Sequence, residues 1–231
     1  MKLHFDAAVF DLDGTLLRSM DVWEAIDHRL LQRRGLTPPA DYVAEICARS
    51  FEEAARYTIE RFGLQENAGS LVREWNEMAL HEYAHHVELQ PYAREYLAQL
   101  AQAGVRLAVA TGLSERLYKP CLVRNGVWEW FDVVCSTDEV AHGKEFPDVF
   151  ALVCRKLGLA PGQCLVFDDT LPAIRSAKRL GMLACGVYDK YSAHHRAEIQ
   201  QLADCYVTDF RAAPLPARKD ESNGTMGFVH P

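Results

Sequence analysis

The pattern of hydrophobic and polar positions divides the chain into two regions of different periodicity. Residues 6–10, Asp-Ala-Ala-Val-Phe, are mostly apolar without a helical period, which predicts a buried strand. Between residues 17 and 90 the apolar positions recur with helical spacing, so we expect a small all-helical unit there. From residue 91 the pattern alternates between strand and helix, which favours a parallel sheet with helices on both faces.

The helical region is predicted to contain three main helices. The first covers residues 21–34 and ends at Gly35, because a glycine can adopt the left-handed conformation common at helix C-termini. The second begins at Ser50-Phe-Glu-Glu53, a capping-box sequence, and ends near Gly63. The third covers residues 71–86, with an apolar stripe along one face.

The second region is predicted to supply most of the sheet. Predicted strands cover residues 105–110, 132–135, 164–167, 183–187 and 205–207, and predicted helices cover residues 92–103, 114–125, 147–157 and 171–180. In a parallel sheet of this kind the ligand crevice lies outside the carboxyl ends of the strands. From residue 212 to residue 231 apolar side chains become few, and we expect a flexible tail that is not part of the fold.

Composition and charge limit the partners of this protein. The formal net charge of −7 at pH 7 gives no reason to expect binding to nucleic acid or to an anionic membrane. No apolar run approaches about 18 residues, so no membrane-spanning helix is expected. The first residues read as neither a signal peptide nor a transit sequence. The 7 cysteines lack CxxC spacing, and we expect reduced packing residues in a cytoplasmic protein.

Polar residues mark the ends of three predicted strands. They are Asp11 and Asp13, Thr111 and Gly112, and Asp168 and Asp169. Asp11 and Asp13 can point the same way, because side chains alternate along a strand, and they would then be about 6.5 Å apart. Two carboxylates this close repel each other unless a cation or a proton lies between them. Mg²⁺, which prefers oxygen ligands, would fill that place.

Each of these signals has a plainer interpretation when taken alone. Thr111-Gly112 would be a turn, Lys144 a solvated surface lysine, and Asp168-Asp169 a pair of helix-capping acids. His81, His85 and His86 include the i, i+4 spacing of metal ligands. They have no acidic or cysteine partner at a known spacing, so a solvated helix face is favoured.

Together, four segments resemble the motifs of the haloacid dehalogenase-like hydrolases in order and spacing. The segments are DLDGT from Asp11, VATG from Val109, the lysine of HGKEFPDVF and VFDDT from Val166. The helical insertion resembles the cap of the phosphoglycolate phosphatase and β-phosphoglucomutase branch. The resemblance implies an α/β fold in which a Rossmann-like parallel sheet core, residues 1–16 and 91–211, carries an all-helical cap domain, residues 17–90.

The resemblance also implies a role for each candidate residue. Asp11 matches the nucleophile that forms an aspartyl-phosphate, and Asp13 matches the general acid and base. Thr111, Gly112 and Lys144 match the groups that hold and neutralise the phosphoryl oxygens, and Asp11, Asp13, Asp168 and Asp169 match the Mg²⁺ ligands, Asp13 through its backbone carbonyl. Arg49, beside the start of a predicted helix, is a candidate substrate contact. Arg18-Ser19 stands where many relatives have Asp-Ser.

These matches imply a Mg²⁺-dependent phosphatase that acts as a monomer on a small phosphorylated metabolite. A phosphoryl mutase of the β-phosphoglucomutase type is the nearest alternative, and a non-catalytic phosphate- or metal-binding regulator is an alternative of another class. Dehalogenase chemistry is disfavoured because it needs neither a metal nor the second aspartate. A mutase should need a second anion site in the cap, whereas the arginines of residues 17–90 are dispersed among acids.

Overall fold

The structure of the chain is a computed structural model that describes residues 3–47, 49 and 51–217. Its centre is a sheet of parallel strands in the order β3-β2-β1-β4-β5-β6. The strands are β1 (Ala7–Phe10), β2 (Arg106–Thr111), β3 (Val133–Ser136), β4 (Cys164–Asp168), β5 (Leu183–Val187) and β6 (Cys205–Val207). The sequence prediction of a parallel α/β sheet is therefore confirmed.

Helices cover both faces of the sheet, and four of them form the insertion between β1 and β2. The helices of the insertion are α1 (Met20–Gln32), α2 (Tyr42–Cys47), α3 (Phe51–Phe62) and α4 (Ala68–His85). Those around the sheet are α5 (Ala93–Gln102), α6 (Glu115–Arg124), α7 (Asp148–Leu157), α8 (Leu171–Arg179) and α9 (Arg196–Leu202).

The central strand β1 shows why the sheet needs cover on both sides. All of its residues are buried, and their side chains alternate between the two faces. Phe10 stacks on Phe167 of β4 at a centroid distance of 4.7 Å and belongs to the apolar cluster that includes α5. Val9 belongs to the opposite cluster, which includes Phe150 of α7. Such a strand reads as a continuous apolar run because both faces are buried.

The apolar side chains of the insertion continue the cluster on one face of the sheet. Ile26 and Leu30 of α1 are buried in one cluster with Leu71 and Trp75 of α4. The predicted helices of this region are present, but α2 was missed because six residues are too few to show a helical period. The Ser50 end of the predicted capping box lies outside the described residues.

The two chain segments that join the insertion to the sheet lie side by side. The N–H of Gln90 donates to the carbonyl of Leu16 at 2.8 Å, and the N–H of Arg18 donates to the carbonyl of Glu88 at 2.9 Å. Leu17 and Leu89 form an antiparallel bridge between them. We propose that this crossing is the boundary between the core domain and the cap domain.

The last described segment differs from the expected tail. Phe210 is buried in the core, and the Tyr96 hydroxyl donates to the carbonyl of Pro214 at 2.6 Å. The N–H of Ala217 donates to the carbonyl of Leu3 at 3.0 Å. Residues 212–217 therefore contact the core, in contrast to the tail expected from residue 212. The remainder of that predicted tail lies outside the described residues.

Two expectations drawn from composition concern membranes and cysteines. Within the described ranges, no helix is long and apolar enough to cross a membrane. The cysteine side chains that the structure describes are free thiols, and those of Cys121, Cys135, Cys154, Cys164 and Cys185 are buried. These side chains fill the core as small apolar groups.

Candidate active site

The predicted site residues meet at one edge of the sheet. β1 lies between β2 and β4, and Phe10 is paired with Val109 on one side and with Phe167 on the other. The residues one or two positions beyond these three are therefore neighbours, because parallel strands end at the same edge. This arrangement brings together Asp11, Thr111 and Asp168 with Asp169 beside it.

Three carboxylates form the centre of this edge. Asp11, Asp168 and Asp169 are buried, and each offers an oxygen that lies within 4.8 Å of the other two. Burial raises the pKa of Asp11 to about 7, with the charge of Lys144 opposing the shift. Burial also raises the pKa of Asp169 well above its ordinary value, and the charges of Asp168 and Asp11 raise it further. The trio therefore carries mutual repulsion that a cation would relieve.

Lys144 supplies one positive charge to this trio. Its ammonium group donates to Oδ1 of Asp11 and, at 2.9 Å, to Oδ2 of Asp168. Burial alone would lower the pKa of Lys144, but the charges of Asp11 and Asp168 outweigh it and raise that pKa above its ordinary value. Lys144 is therefore charged. It is not the solvated surface lysine that its sequence position alone would suggest.

The donor set fits a hard divalent cation such as Mg²⁺. Within the part of the chain that the structure describes, these carboxylates are the only group of three potential metal ligands that converges. Hydroxyl and N–H donors orient two of them. Thr170 donates to Oδ1 of Asp168 from its N–H at 2.9 Å and from its hydroxyl at 2.7 Å, and the Thr15 hydroxyl donates to Oδ1 of Asp169 at 3.3 Å. All of the converging donors are oxygens, the ligand type that Mg²⁺ prefers.

Asp13 is held apart from the trio by residues of the insertion. Its Oδ1 accepts a hydrogen bond from the Ser19 hydroxyl at 2.5 Å and another from the Tyr83 hydroxyl. The indole N–H of Trp23 donates to the Tyr83 hydroxyl at 2.8 Å. Burial raises the pKa of Asp13, and the hydrogen bonds from Ser19 and Tyr83 oppose the shift. The side chain of Asp13 is therefore not one of the converging carboxylates, which leaves its backbone carbonyl as the predicted ligand atom.

Thr111 and Gly112 form the end of β2 beside the carboxylates. The Thr111 hydroxyl is buried and accepts a hydrogen bond from the N–H of Leu113 at 3.0 Å, so its own proton can still be donated. Gly112 is exposed, and nothing lies within 4 Å of the position that a Cβ would occupy there. A phosphoryl group could therefore approach the backbone closely at Gly112.

Arg49 is engaged elsewhere in the insertion. Its guanidinium pairs with Glu45 at 3.0 Å and lies over the ring of Tyr57 at 4.5 Å from the centroid. These described contacts are all with residues of the insertion, and they do not connect Arg49 to the carboxylates. His81, His85 and His86 have neighbouring rings on the exposed side of α4, but they are not a converging group of ligands.

Sequence reasoning missed several groups that support the site. Ser19 and Tyr83 contact Asp13, Trp23 contacts Tyr83, and Thr170 holds Asp168. Ser19 was noticeable as the hydroxyl residue after the first motif, but Tyr83 stood only as an apolar position of a helix. Helical spacing indicates which face is buried, and it does not indicate what a hydroxyl on that face contacts.

Comparison with known proteins shows the family of the chain. The family model described as haloacid dehalogenase-like hydrolase matches residues 8–187. A phosphoglycolate phosphatase from Pectobacterium atrosepticum is 31% identical over 201 residues, which cover 83% of this chain and 84% of the relative. A validoxylamine A 7'-phosphate phosphatase from Streptomyces hygroscopicus subsp. limoneus is 28% identical over 212 residues, which cover 92% and 97% of the two chains.

The fold is also shared with solved structures. CbbY from Rhodobacter sphaeroides, crystallised with phosphate, superposes with a TM-score of 0.76 at 24% identity, covering 90% of this chain and 96% of CbbY. That likeness shows the fold, whereas the family match spans most of the chain and contains every predicted motif. The chain therefore belongs to the haloacid dehalogenase-like hydrolase family, and it is an enzyme of the phosphomonoester hydrolase type.

Proposed function

We propose that this enzyme hydrolyses a small phosphomonoester with the help of Mg²⁺, through an aspartyl-phosphate formed on Asp11. The observation that carries the proposal is the convergence of Asp11, Asp168 and Asp169 around the ammonium group of Lys144 at one sheet edge. The phosphatases to which the chain is similar support the same reaction class.

Asp11 would attack the phosphorus atom and displace the alcohol of the substrate. Lys144 favours this step because its charge stabilises the ionised form of Asp11 and reduces the repulsion between two anions. Mg²⁺, held by Asp11, Asp168 and Asp169, would supply further positive charge to the phosphoryl oxygens when bound. Thr111 and the open backbone at Gly112 would hold those oxygens in place.

Asp13 would move the protons of both half-reactions. It would first donate a proton to the leaving alcohol oxygen and then accept one from the water that attacks the aspartyl-phosphate. Burial raises the pKa of Asp13, which favours a carboxyl that can carry a proton near neutral pH. Its separation from the carboxylate trio leaves it free for this role.

The arginines of the insertion support a phosphatase over a mutase. Arg29, Arg33, Arg34, Arg49, Arg56 and Arg61 each form an ion pair with a carboxylate of the same region. A mutase must bind a second phosphate while its bisphosphorylated intermediate turns around. These pairings leave the six arginines with carboxylate partners, and Arg73 donates to the Ser70 hydroxyl. That arrangement supports a cap without a second phosphate site.

A metabolite screen tests the proposed reaction. The enzyme would be incubated with Mg²⁺ and a panel that includes 2-phosphoglycolate and several hexose phosphates, with free phosphate as the readout. We expect release from at least one of them, and an Asp11→Asn variant is the matched control. Equal release by wild type and variant would contradict a nucleophilic Asp11.

A second experiment separates hydrolysis from transfer. The protein would be given β-glucose 1-phosphate with a trace of the 1,6-bisphosphate, and the products would be followed by phosphorus NMR. We expect inorganic phosphate to accumulate. Faster accumulation of glucose 6-phosphate would show a mutase instead.

We also propose that the enzyme is a cytoplasmic monomer. The free, buried thiols support a reducing compartment. Size-exclusion chromatography with light scattering would test the monomer, since a stable dimer would have twice the mass of the chain.

A further inference from the structure

The second aspartate of the site is held by the insertion as well as by its own loop. Oδ1 of Asp13 accepts hydrogen bonds from the Ser19 hydroxyl and from the Tyr83 hydroxyl, which belongs to α4. We propose that Tyr83 is a positioning residue for Asp13, which reserves Oδ2 for proton transfer while α4 lies over the site. This inference rests on the proposed function, in which Asp13 is the general acid and base.

The direction of the hydrogen bonds follows from Trp23. An indole N–H can only donate, so Trp23 must donate to the oxygen of Tyr83. An ionised carboxylate can only accept, so the hydroxyls of Tyr83 and Ser19 both donate to Oδ1 of Asp13. While both hydroxyls keep this orientation, Oδ2 is the oxygen of Asp13 that is available to take up or release a proton.

The contact also connects the acid to the position of the insertion. Tyr83 is fully buried on α4, and its ring lies 5.9 Å from that of Trp23 on α1. Both residues lie on helices of the insertion, so they move with it. A displacement of α4 would separate Tyr83 from Asp13. Asp13 would then lose this hydrogen bond and turn more freely.

The test compares two aryl phosphates that differ in their need for a proton. p-Nitrophenolate leaves readily without protonation, whereas phenolate is a poorer leaving group and depends more on a general acid. The Tyr83→Phe variant should lower kcat/KM for phenyl phosphate by about 10-fold or more and that for p-nitrophenyl phosphate by about 3-fold or less. Trp23→Phe should change the ratio in the same direction by a smaller factor.

Tyr42→Phe is the matched control. Tyr42 is another fully buried tyrosine of the insertion, and its hydroxyl is hydrogen-bonded to the Thr58 hydroxyl at 2.8 Å, with no described contact to Asp13. The same atom is removed from the same region, so any general weakening of the insertion affects both variants. We expect Tyr42→Phe to leave the ratio of the two kcat/KM values unchanged.

The outcomes separate the inference from the proposed function. Equal losses for both phosphates in Tyr83→Phe, or the same change of ratio in Tyr42→Phe, would overturn the positioning role and leave the phosphatase intact. Wild-type rates no higher than those of Asp11→Asn would overturn the proposed function, and the inference with it. Circular dichroism checks that each variant is folded. If Tyr83→Phe does not fold, the ratio of the two kcat/KM values is measured with Trp23→Phe instead, and an unchanged ratio in that variant would overturn the positioning role.

Discussion

Gly14, in the first motif, lies against Asp169, the residue that follows β4. Its φ is +74°, a conformation that residues with a side chain rarely adopt. A Cβ added there would lie 3.0 Å from Cγ of Asp169, a carboxylate of the proposed Mg²⁺ site. A glycine is therefore favoured at position 14 for two reasons: its backbone has a positive φ, and the side chain of Asp169, which follows β4, leaves no room for a Cβ.

We expect Gly14→Ala to reduce both stability and activity. Gly104→Ala is the control, because Gly104 has the same φ of +74° and nothing within 4 Å of its Cβ position. Gly104→Ala should cost about 1 kcal/mol of unfolding free energy from backbone strain alone. Gly14→Ala should cost more and lower kcat/KM, since Asp169 must move. Urea unfolding and activity assays measure the two effects, and equal results for both variants would contradict this explanation.

Asp11→Asn tests the nucleophile directly. An amide cannot form the acyl phosphate, so we expect turnover to fall to background while the variant stays folded. The metal-free variant should also be at least as stable as wild type, because one of three mutually repelling buried carboxylates is removed. Steady-state kinetics and thermal unfolding in chelator measure both. Retention of near-normal turnover would mean that the reaction does not proceed through Asp11.

At the scale of elements, α1 carries an acid inside its apolar face. Asp27 is buried beside Ile26 and Leu30, and burial raises its pKa from 3.8 to about 7. At pH values between these two pKa values, the folded protein therefore keeps a proton on Asp27 that the unfolded chain has released. The free energy of unfolding is therefore highest, as far as Asp27 is concerned, at low pH, and it falls as the pH rises from about 4 to about 7.

We expect Asp27→Asn to stabilise the protein above pH 7, by an amount on the order of 3 kcal/mol, with a smaller gain at pH 5. Asp21→Asn is the control on the same helix: Asp21 is exposed, and Lys190 lowers its pKa, so no such gain is expected. Urea unfolding at pH 5 and pH 8 provides the measurement. A gain that did not grow with pH would show that Asp27 is not a buried ionisable group.

At the scale of the whole molecule, the insertion should open and close over the sheet edge as one body. Its covalent links are the segments joined by Leu17 and Leu89. A further contact connects α1 to the loop after β5, where the Tyr191 hydroxyl donates to Asp21 at 3.1 Å and Lys190 pairs with the same carboxylate at 2.5 Å. Opening would break these contacts at little cost, because exposed ion pairs contribute little.

Small-angle X-ray scattering can detect this motion. We expect the radius of gyration to fall when Mg²⁺ and a phosphate mimic are added, because the closed form excludes water from the site. A Lys190→Ala, Tyr191→Phe double variant should be more open without ligands and should close with them. Identical scattering in all conditions would contradict a moving insertion.

Removal of the metal should be visible in stability as well as in activity. The carboxylates repel each other until a cation binds, so Mg²⁺ should raise the thermal unfolding temperature of wild type. Asp169→Asn should weaken that response, and chelator should abolish turnover of the wild type. Full turnover in excess chelator would be incompatible with the proposed role of Mg²⁺.

Much of this protein is determined by short-range features of its sequence. The apolar run that became β1, the alternation of strands and helices after residue 91 and the polar residues at strand ends each depend on a few neighbouring positions. Local geometry can therefore be predicted from them. The order of the four motifs then identified the family, and with it the edge of the sheet that holds Asp11, Lys144 and Asp168.

The tertiary structure alone decided which distant groups touch. Tyr83 reads as an apolar position of a helix, and only the placement of α4 beside the loop after β1 brings its hydroxyl to Asp13. Pro214 resembles part of a tail, yet its carbonyl accepts a hydrogen bond from Tyr96. Arg49 suited a phosphate by its position, but Glu45 and Tyr57 hold it. Such contacts depend on how elements pack, and no local pattern records the partner of a side chain that lies far away in the sequence.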